Sequence, residues 1–151
     1  MDKKIIMFII FGVALFIVSY IVSTQFVELA YVSGDSMYPT YKNDDIVFIN
    51  KKYKSIERDD IVLAKKNNIV MIKRVIGIEN DKILIKDGIL YVNDEVYEKY
   101  KNIEYDGIVN EELILGPNEY FVLGDNINKS IDSRYKEIGI IKKSQIIGIV
   151  Y

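Results

Sequence analysis

Residues 5–27 read IIMFIIFGVALFIVSYIVSTQFV, an apolar run with no charge before Glu28. At a helical rise of 1.5 Å per residue it gives roughly 34 Å of helix, enough to cross a bilayer. Tyr20 and Phe26 lie toward its outer end, where amphipathic rings favour the interface, and Lys3 and Lys4 flank the other end. The positive-inside rule then predicts residues 1–4 in the cytoplasm, 5–27 as a single membrane anchor and 28–151 on the far side of the membrane. A cleavable leader has a shorter apolar core, of about 7–15 residues, followed by a small-x-small site, and no clear site precedes Glu28. A buried core helix needs cover on every side, more than the remaining chain can supply.

Beyond residue 28 the pattern changes from one long run to short β-branched runs separated by turn residues. Segments 45–49, 61–65, 69–76, 82–86, 89–92, 119–123 and 146–151 predict strands. Asp87-Gly88 between two of them marks a tight hairpin, because Gly accepts the positive φ of a primed turn, and Asn67-Asn68 turns the preceding pair. No long run after residue 30 shows a 3.6-residue period, and no stretch reads as a repeat or a linker. The expected architecture is mostly β: one small antiparallel β domain preceded by one N-terminal transmembrane helix.

Composition narrows the chemistry. The chain has neither His nor Cys, which removes a Ser-His-Asp triad, a thiol nucleophile and the usual zinc ligands. Nothing calls for a metal or other cofactor. Basic residues number 20 against 22 acidic, for a net charge of −2, and they are dispersed, so no nucleic-acid footprint is expected. A hydrolase built from this chain needs Lys, Asp, Glu or Tyr as its base.

Three segments carry candidate chemistry. Ser33-Gly34-Asp35-Ser36-Met37-Tyr38-Pro39-Thr40 contains a Gly, a Pro and a pre-proline residue, a tight non-helical path that places Ser36 on a loop. A nucleophilic Ser needs an exposed Oγ and a nearby backbone N–H, and such a loop offers both, although spacing alone favours an ordinary turn. In the strand 69–76, alternation puts Lys73 on the face shared by Met71 and Val75. An exposed lysine is neutral only about 0.04 % of the time at pH 7; a fall of its pKa to around 8 needs roughly 3 kcal/mol, within reach of burial. The alternative is a strand lysine snorkelling to water. The third segment, residues 123–134, is a polar loop in which Ser130 is placed to aim the lysine amine and Asp132 to pair with Arg134. Taken alone, the segment is better read as a solvated loop or a carboxylate cation site at Asp125 and Asp132.

Taken in order, these segments resemble the sequence boxes of type I signal peptidases. Gly34-Asp35-Ser36-Met37-Tyr38-Pro39-Thr40 matches Gly-x-Ser-Met-x-Pro-Thr, and Arg58-Asp59-Asp60-Ile61-Val62 is similar to Arg-Gly-Asp-Ile-Val. Lys73-Arg74-Val75-Ile76-Gly77 matches the lysine box, and Gly124-Asp125-Asn126 with Ser130 and Asp132-Ser133-Arg134 matches the last. The resemblance runs from the anchor to the C-terminus. It implies a membrane-bound serine endopeptidase with Ser36 as nucleophile, Lys73 as general base, Ser130 as orienting hydroxyl, and Asp132 with Arg134 as support. The implied substrate is a secretory precursor with small residues one and three positions before the cut, added as a strand beside Gly34, Asp35, Val70, Met71 and Ile72. Some members place a Ser donor where this chain has Gly34, so that contribution is missing or falls to backbone. Asp59 stands for a usual Gly, and Ile78-Glu79-Asn80-Asp81 for Leu-Pro-Gly-Asp. Two other readings remain: a self-cleaving Ser-Lys protease, which should carry a DNA-binding helix-turn-helix, and a catalytically inert anchored β domain.

Overall fold

A computed structural model describes residues 2–24, 26–104 and 111–151. Helix α1 spans Lys3–Thr24, and all of residues 3–20 are exposed, so no protein face covers that stretch. Eleven strands follow among the described residues: β1 Val27–Tyr31, β2 Ile46–Asn50, β3 Ile61–Lys66, β4 Ile69–Gly77, β5 Lys82–Lys86, β6 Ile89–Val92, β7 Glu95–Lys101, β8 Leu113–Ile114, β9 Glu119–Leu123, β10 Ile141–Lys142 and β11 Ile146–Val150. The seven predicted segments are all strands. The helix ends short of the predicted residue 27, because Phe26 already turns and Val27 opens β1.

The strands form two antiparallel sheets. The larger has the order β1-β2-β11-β3-β4-β9-β10, the smaller β7-β6-β5-β8. Both predicted hairpins form with two-residue loops: Lys66 pairs with Ile69 across Asn67-Asn68, and Lys86 with Ile89 across Asp87-Gly88. All four loop residues have positive φ, the geometry that matches the right-handed twist of the flanking strands. Asn93-Asp94 makes a third such turn between β6 and β7.

Two of the residues that depart from the family boxes occupy positions that demand a left-handed backbone. Asp59 sits at φ 72° and Asn80 at φ 69°, and Asp and Asn are the non-Gly residues that tolerate this region best. The turn after β4 is closed by the Asp81 side chain, which accepts from the Ile78 amide at 2.7 Å and forms two 2.9 Å bonds with Arg58.

Packing follows the alternation of β-branched residues. Val62, Ala64, Met71, Val75, Val122, Ile146 and Ile149 face one buried layer of the large sheet. On its other face Ile76, Phe121 and Leu123 meet Ile83, Ile85 and Leu90 of the small sheet. A third cluster, Val32, Val47, Ile49, Leu63 and Val150, fixes the strand pair that follows the helix. The outward face of that pair stays apolar and exposed: Leu29 lies opposite Phe48, and Tyr31 opposite Ile46.

Candidate active site

Ser36 is held by a loop pinned at several points. Val32 is buried and exchanges backbone bonds with the 44–45 turn, donating to the Asp45 carbonyl at 2.8 Å and accepting from the Asp44 amide at 2.9 Å. Gly34, at φ 85°, takes a conformation strained for any residue with a Cβ, and its amide donates to Asn43 Oδ1 at 2.7 Å. Met37 is buried beneath the loop, the Tyr38–Pro39 peptide is cis, and the Ser36 carbonyl accepts from the Asn126 amide at 2.9 Å. The result is a half-buried serine whose backbone is fixed from both sides.

Lys73 comes to it from β4, opposite Val62 of β3. Its side chain lies on the Met71 and Val75 face, as alternation requires, and it is only 4 % exposed, so it does not snorkel. Nζ donates to Ser36 Oγ at 2.9 Å and to the Ile72 carbonyl at 3.0 Å. Burial pushes the lysine pKa down to about 8; the Asp132 charge opposes the shift and the Arg134 charge adds to it.

That shift is a cost to folding, because the unfolded chain holds the proton more tightly than the folded one. The cost is fully present below pH 8, shrinks between pH 8 and 10.5, and vanishes above. At about 1.4 kcal/mol per unit it amounts to ~3 kcal/mol at pH 7. Lys73→Met, which fills the same space without a charge, is therefore expected to melt at a higher temperature than the parent at pH 7, with the margin narrowing as pH rises toward 10.5. Thermal melts of both proteins across that range check this; a variant that melts lower at pH 7, or a margin independent of pH, would contradict it.

The third segment lies directly behind the serine. A Cβ placed on Gly124 would meet Ser130 Oγ at 2.2 Å and the Ser36 carbonyl oxygen at 2.5 Å, so only glycine fits where the two loops approach. Ser130 is 3 % exposed, but its Oγ has no hydrogen-bond partner, and the expected bond to Lys73 is not made. The amine is aimed instead by the carbonyl of Ile72, its own strand neighbour.

Asp132 and Arg134 do form a pair, and it is fully buried, at 0 % and 1 % exposure, not a weak surface bridge. Arg134 Nε donates to Asp132 Oδ1 at 2.7 Å, and its remaining donors reach the carbonyls of Glu104, Ile127 and Ser130 at 2.8–2.9 Å. Asp132 also accepts from the Gly124 amide at 3.0 Å. The pair thus ties residues 124, 127 and 130 into one rigid loop.

Asp125 was legible in the Gly124-Asp125-Asn126 box but not as a partner of Arg74. Its carboxylate takes a fork of two bonds from Arg74 at 2.8 and 2.6 Å and one from Thr40 Oγ1 at 2.5 Å. Burial alone raises its pKa, yet these bonds and one from Lys99 hold it well below the ordinary carboxylate range. Thr40 belongs to the Ser36 loop and Arg74 follows Lys73, so one carboxylate joins both halves of the site. Its cation is the protein's own guanidinium, and no cluster of carboxylates suited to a metal occurs among the described residues.

A cleft of about 540 Å³ opens beside Ser36 and Lys73. Residues around Ala30 form one wall and Ile69 to Ile72 the other; Gly34, Asp35, Val70, Met71 and Ile72 all line it. Two exposed strand margins with a serine at their end form a slot for an extended chain.

Comparison with known proteins gives the family. The family described as "Signal peptidase, peptidase S26" matches residues 4–151. The chain is 39 % identical to signal peptidase I S of Bacillus subtilis over 78 % of this chain and 71 % of that one. It is 33 % identical to signal peptidase IB of Staphylococcus aureus over 99 % and 89 %. The crystal structure of a signal peptidase I from Enterococcus faecalis superposes with a TM-score of 0.53 at 27 % identity, covering 66 % of this chain and all of that one. On a match that takes in nearly every residue, with relatives above 30 % identity along most of the chain, the protein belongs to the signal peptidase family, the serine endopeptidases that remove signal peptides.

Proposed function

We propose that this chain removes signal peptides from secretory precursor proteins with Ser36 and Lys73 as a catalytic dyad. The observation that carries the reading is the 2.9 Å contact between Lys73 Nζ and Ser36 Oγ at a buried amine. With its pKa near 8, roughly a tenth of Lys73 is neutral at pH 7, over a hundredfold more than for a free lysine. In that form the contact reverses: the Ser36 hydroxyl donates to the Nζ lone pair. Transfer of that proton frees Oγ to attack the carbonyl before the scissile bond, with the Ser36 amide as oxyanion donor. The ammonium then protonates the departing amine as the C–N bond breaks, leaving an ester on Ser36. Lys73, neutral again, takes a proton from water as the water oxygen attacks the ester carbonyl; the ester C–O bond then breaks and the ammonium returns that proton to Ser36 Oγ, restoring the serine and the neutral amine. Asp132 and Arg134 hold the loop that backs the dyad, and Ser130 packs against it.

The substrate segment is read as an extended strand in the cleft, paired through main-chain bonds to the margins near Gly34 and Asp35 and along Val70 to Ile72. Small residues before the cut fit a floor built by Met71 and the Ser36 loop. Helix α1, uncovered along residues 3–20, is read as the membrane anchor, with residues 1–4 cytoplasmic and the β domain beyond the outer face. The exposed apolar residues Leu29, Tyr31, Ile46 and Phe48 sit on the strand pair that leaves the helix, where a lipid surface would cover them. Tethering raises the enzyme's local concentration where precursors emerge.

The test is to incubate the detergent-solubilised chain with a signal-bearing precursor and read the new N-terminus by mass spectrometry. Cleavage after a small residue is expected. Absence of product would favour an inert anchored domain.

A further inference from the structure

The small sheet reaches the active site through β7, where the ladder is irregular. Ile89 pairs with Lys101 and Tyr91 with Val96, an advance of two residues on β6 against five on β7, so residues 97–100 bulge out of the ladder. Bulges re-aim side chains, and this one turns two consecutive residues to the same target. Lys99 Nζ donates to Asp125 Oδ1 at 2.8 Å, and Tyr100 OH donates to the same oxygen at 3.1 Å. Tyr100 is 2 % exposed and stacks on Tyr97 with ring centroids 5.9 Å apart. Tyr97 OH in turn donates to Asp59 Oδ1 at 2.6 Å, and the Asp59 carbonyl accepts from Arg74 at 2.8 Å.

The two oxygens of Asp125 divide the work. Oδ2 takes Thr40 and one Arg74 nitrogen, whereas Oδ1 takes the other Arg74 nitrogen together with Lys99 and Tyr100. Rotation of the carboxylate would shift Thr40 of the serine loop and the residue after Lys73 together, and the bonds to Oδ1 oppose that rotation. We infer that Lys99 and Tyr100 are positioning residues: the β7 bulge fixes the Asp125 carboxylate and thereby sets the alignment of Ser36 with Lys73. This rests on the dyad reading above.

The full chain in detergent is assayed on a signal-bearing precursor as Tyr100→Phe, Lys99→Met and Lys99→Arg, with Ser36→Ala alongside. Tyr100→Phe keeps the ring and the stack and removes one donor. A loss of alignment lowers kcat about tenfold in Tyr100→Phe and Lys99→Met while KM stays within about twofold, because misplacement of reacting groups acts on the chemical step. Lys99→Arg, which restores a donor, regains most of the loss. Parent-like kcat in both Tyr100→Phe and Lys99→Met overturns the inference, and so does a rise in KM that accounts for the loss, or a fall in rate that merely follows the folded fraction measured by thermal melting. Ser36→Ala separates the two levels. If it still cleaves, the dyad reading fails; if it is dead while Tyr100→Phe and Lys99→Met are parent-like, only the positioning role fails.

Discussion

Ser36→Ala and Lys73→Met each reduce precursor cleavage to background, a loss on the order of 10⁴-fold or more, while the β domain stays folded. The magnitude follows from how the pair works. Without Oγ there is no ester intermediate, and without an amine in contact with it, at 2.9 Å, the hydroxyl keeps its proton. Groups that act as a unit are grossly non-additive, so the double variant is expected to be no slower than either single one. Lys73→Arg should be as inactive as Lys73→Met, because a guanidinium stays protonated and cannot serve as base at any accessible pH. Time courses by mass spectrometry, with circular dichroism to verify folding, check all four proteins. Cleavage by Lys73→Met within tenfold of the parent would remove the lysine from the mechanism.

Arg134→Ala is expected to cost about 3–5 kcal/mol of stability, the range for breaking a buried ion pair by removing one partner. Asp132, at 0 % exposure, would keep only the Gly124 amide and the Arg134 backbone as donors, and the carbonyls of Glu104, Ile127 and Ser130 would lose theirs. Against a total stability of about 5–15 kcal/mol for an ordinary domain, this is a large fraction. Asp132→Ala falls in the same range and strands the guanidinium. The double variant should lose less than the sum, since neither charge is then left alone. Denaturant titrations of the four proteins measure this. A change below about 1 kcal/mol for Arg134→Ala would mean that the pair is not buried as described.

The strands that carry the site were readable because their alternation is uninterrupted. β4 runs Ile69 to Gly77 with Met71, Lys73 and Val75 on one face, and period two alone put the lysine among apolar neighbours. The hairpins were equally plain, since Asp87-Gly88 and Asn67-Asn68 announce the positive φ they adopt. What escaped has local causes. β1 directly follows an apolar run from which composition does not separate it. β7, Glu95–Lys101, is half charged and bulged, so its period is broken, and β8 and β10 are two residues each, too short for any period.

Long-range polar contacts were the least legible part of the site. Arg74 and Asp125 are 51 positions apart, and only the pairing of β4 with β9 brings them together. Asp132 and Arg134 were recognised as a pair, but burial, which decides its energetic weight, depends on packing that two residues of spacing cannot reveal. The likeness to the family boxes pointed to the serine and the lysine; the contact of the amine with the Ile72 carbonyl and not with Ser130 required the structure.

The pH dependence of the single-turnover cleavage rate tests the dyad most directly, because Lys73 must lose its proton before Ser36 can react. The rate should rise through one apparent pKa near 8 and level off above it, as burial of the amine requires. A rate that is flat from pH 6 to 10, or one that climbs only toward pH 10.5 as for a free lysine, would contradict a buried Lys73 acting as the base.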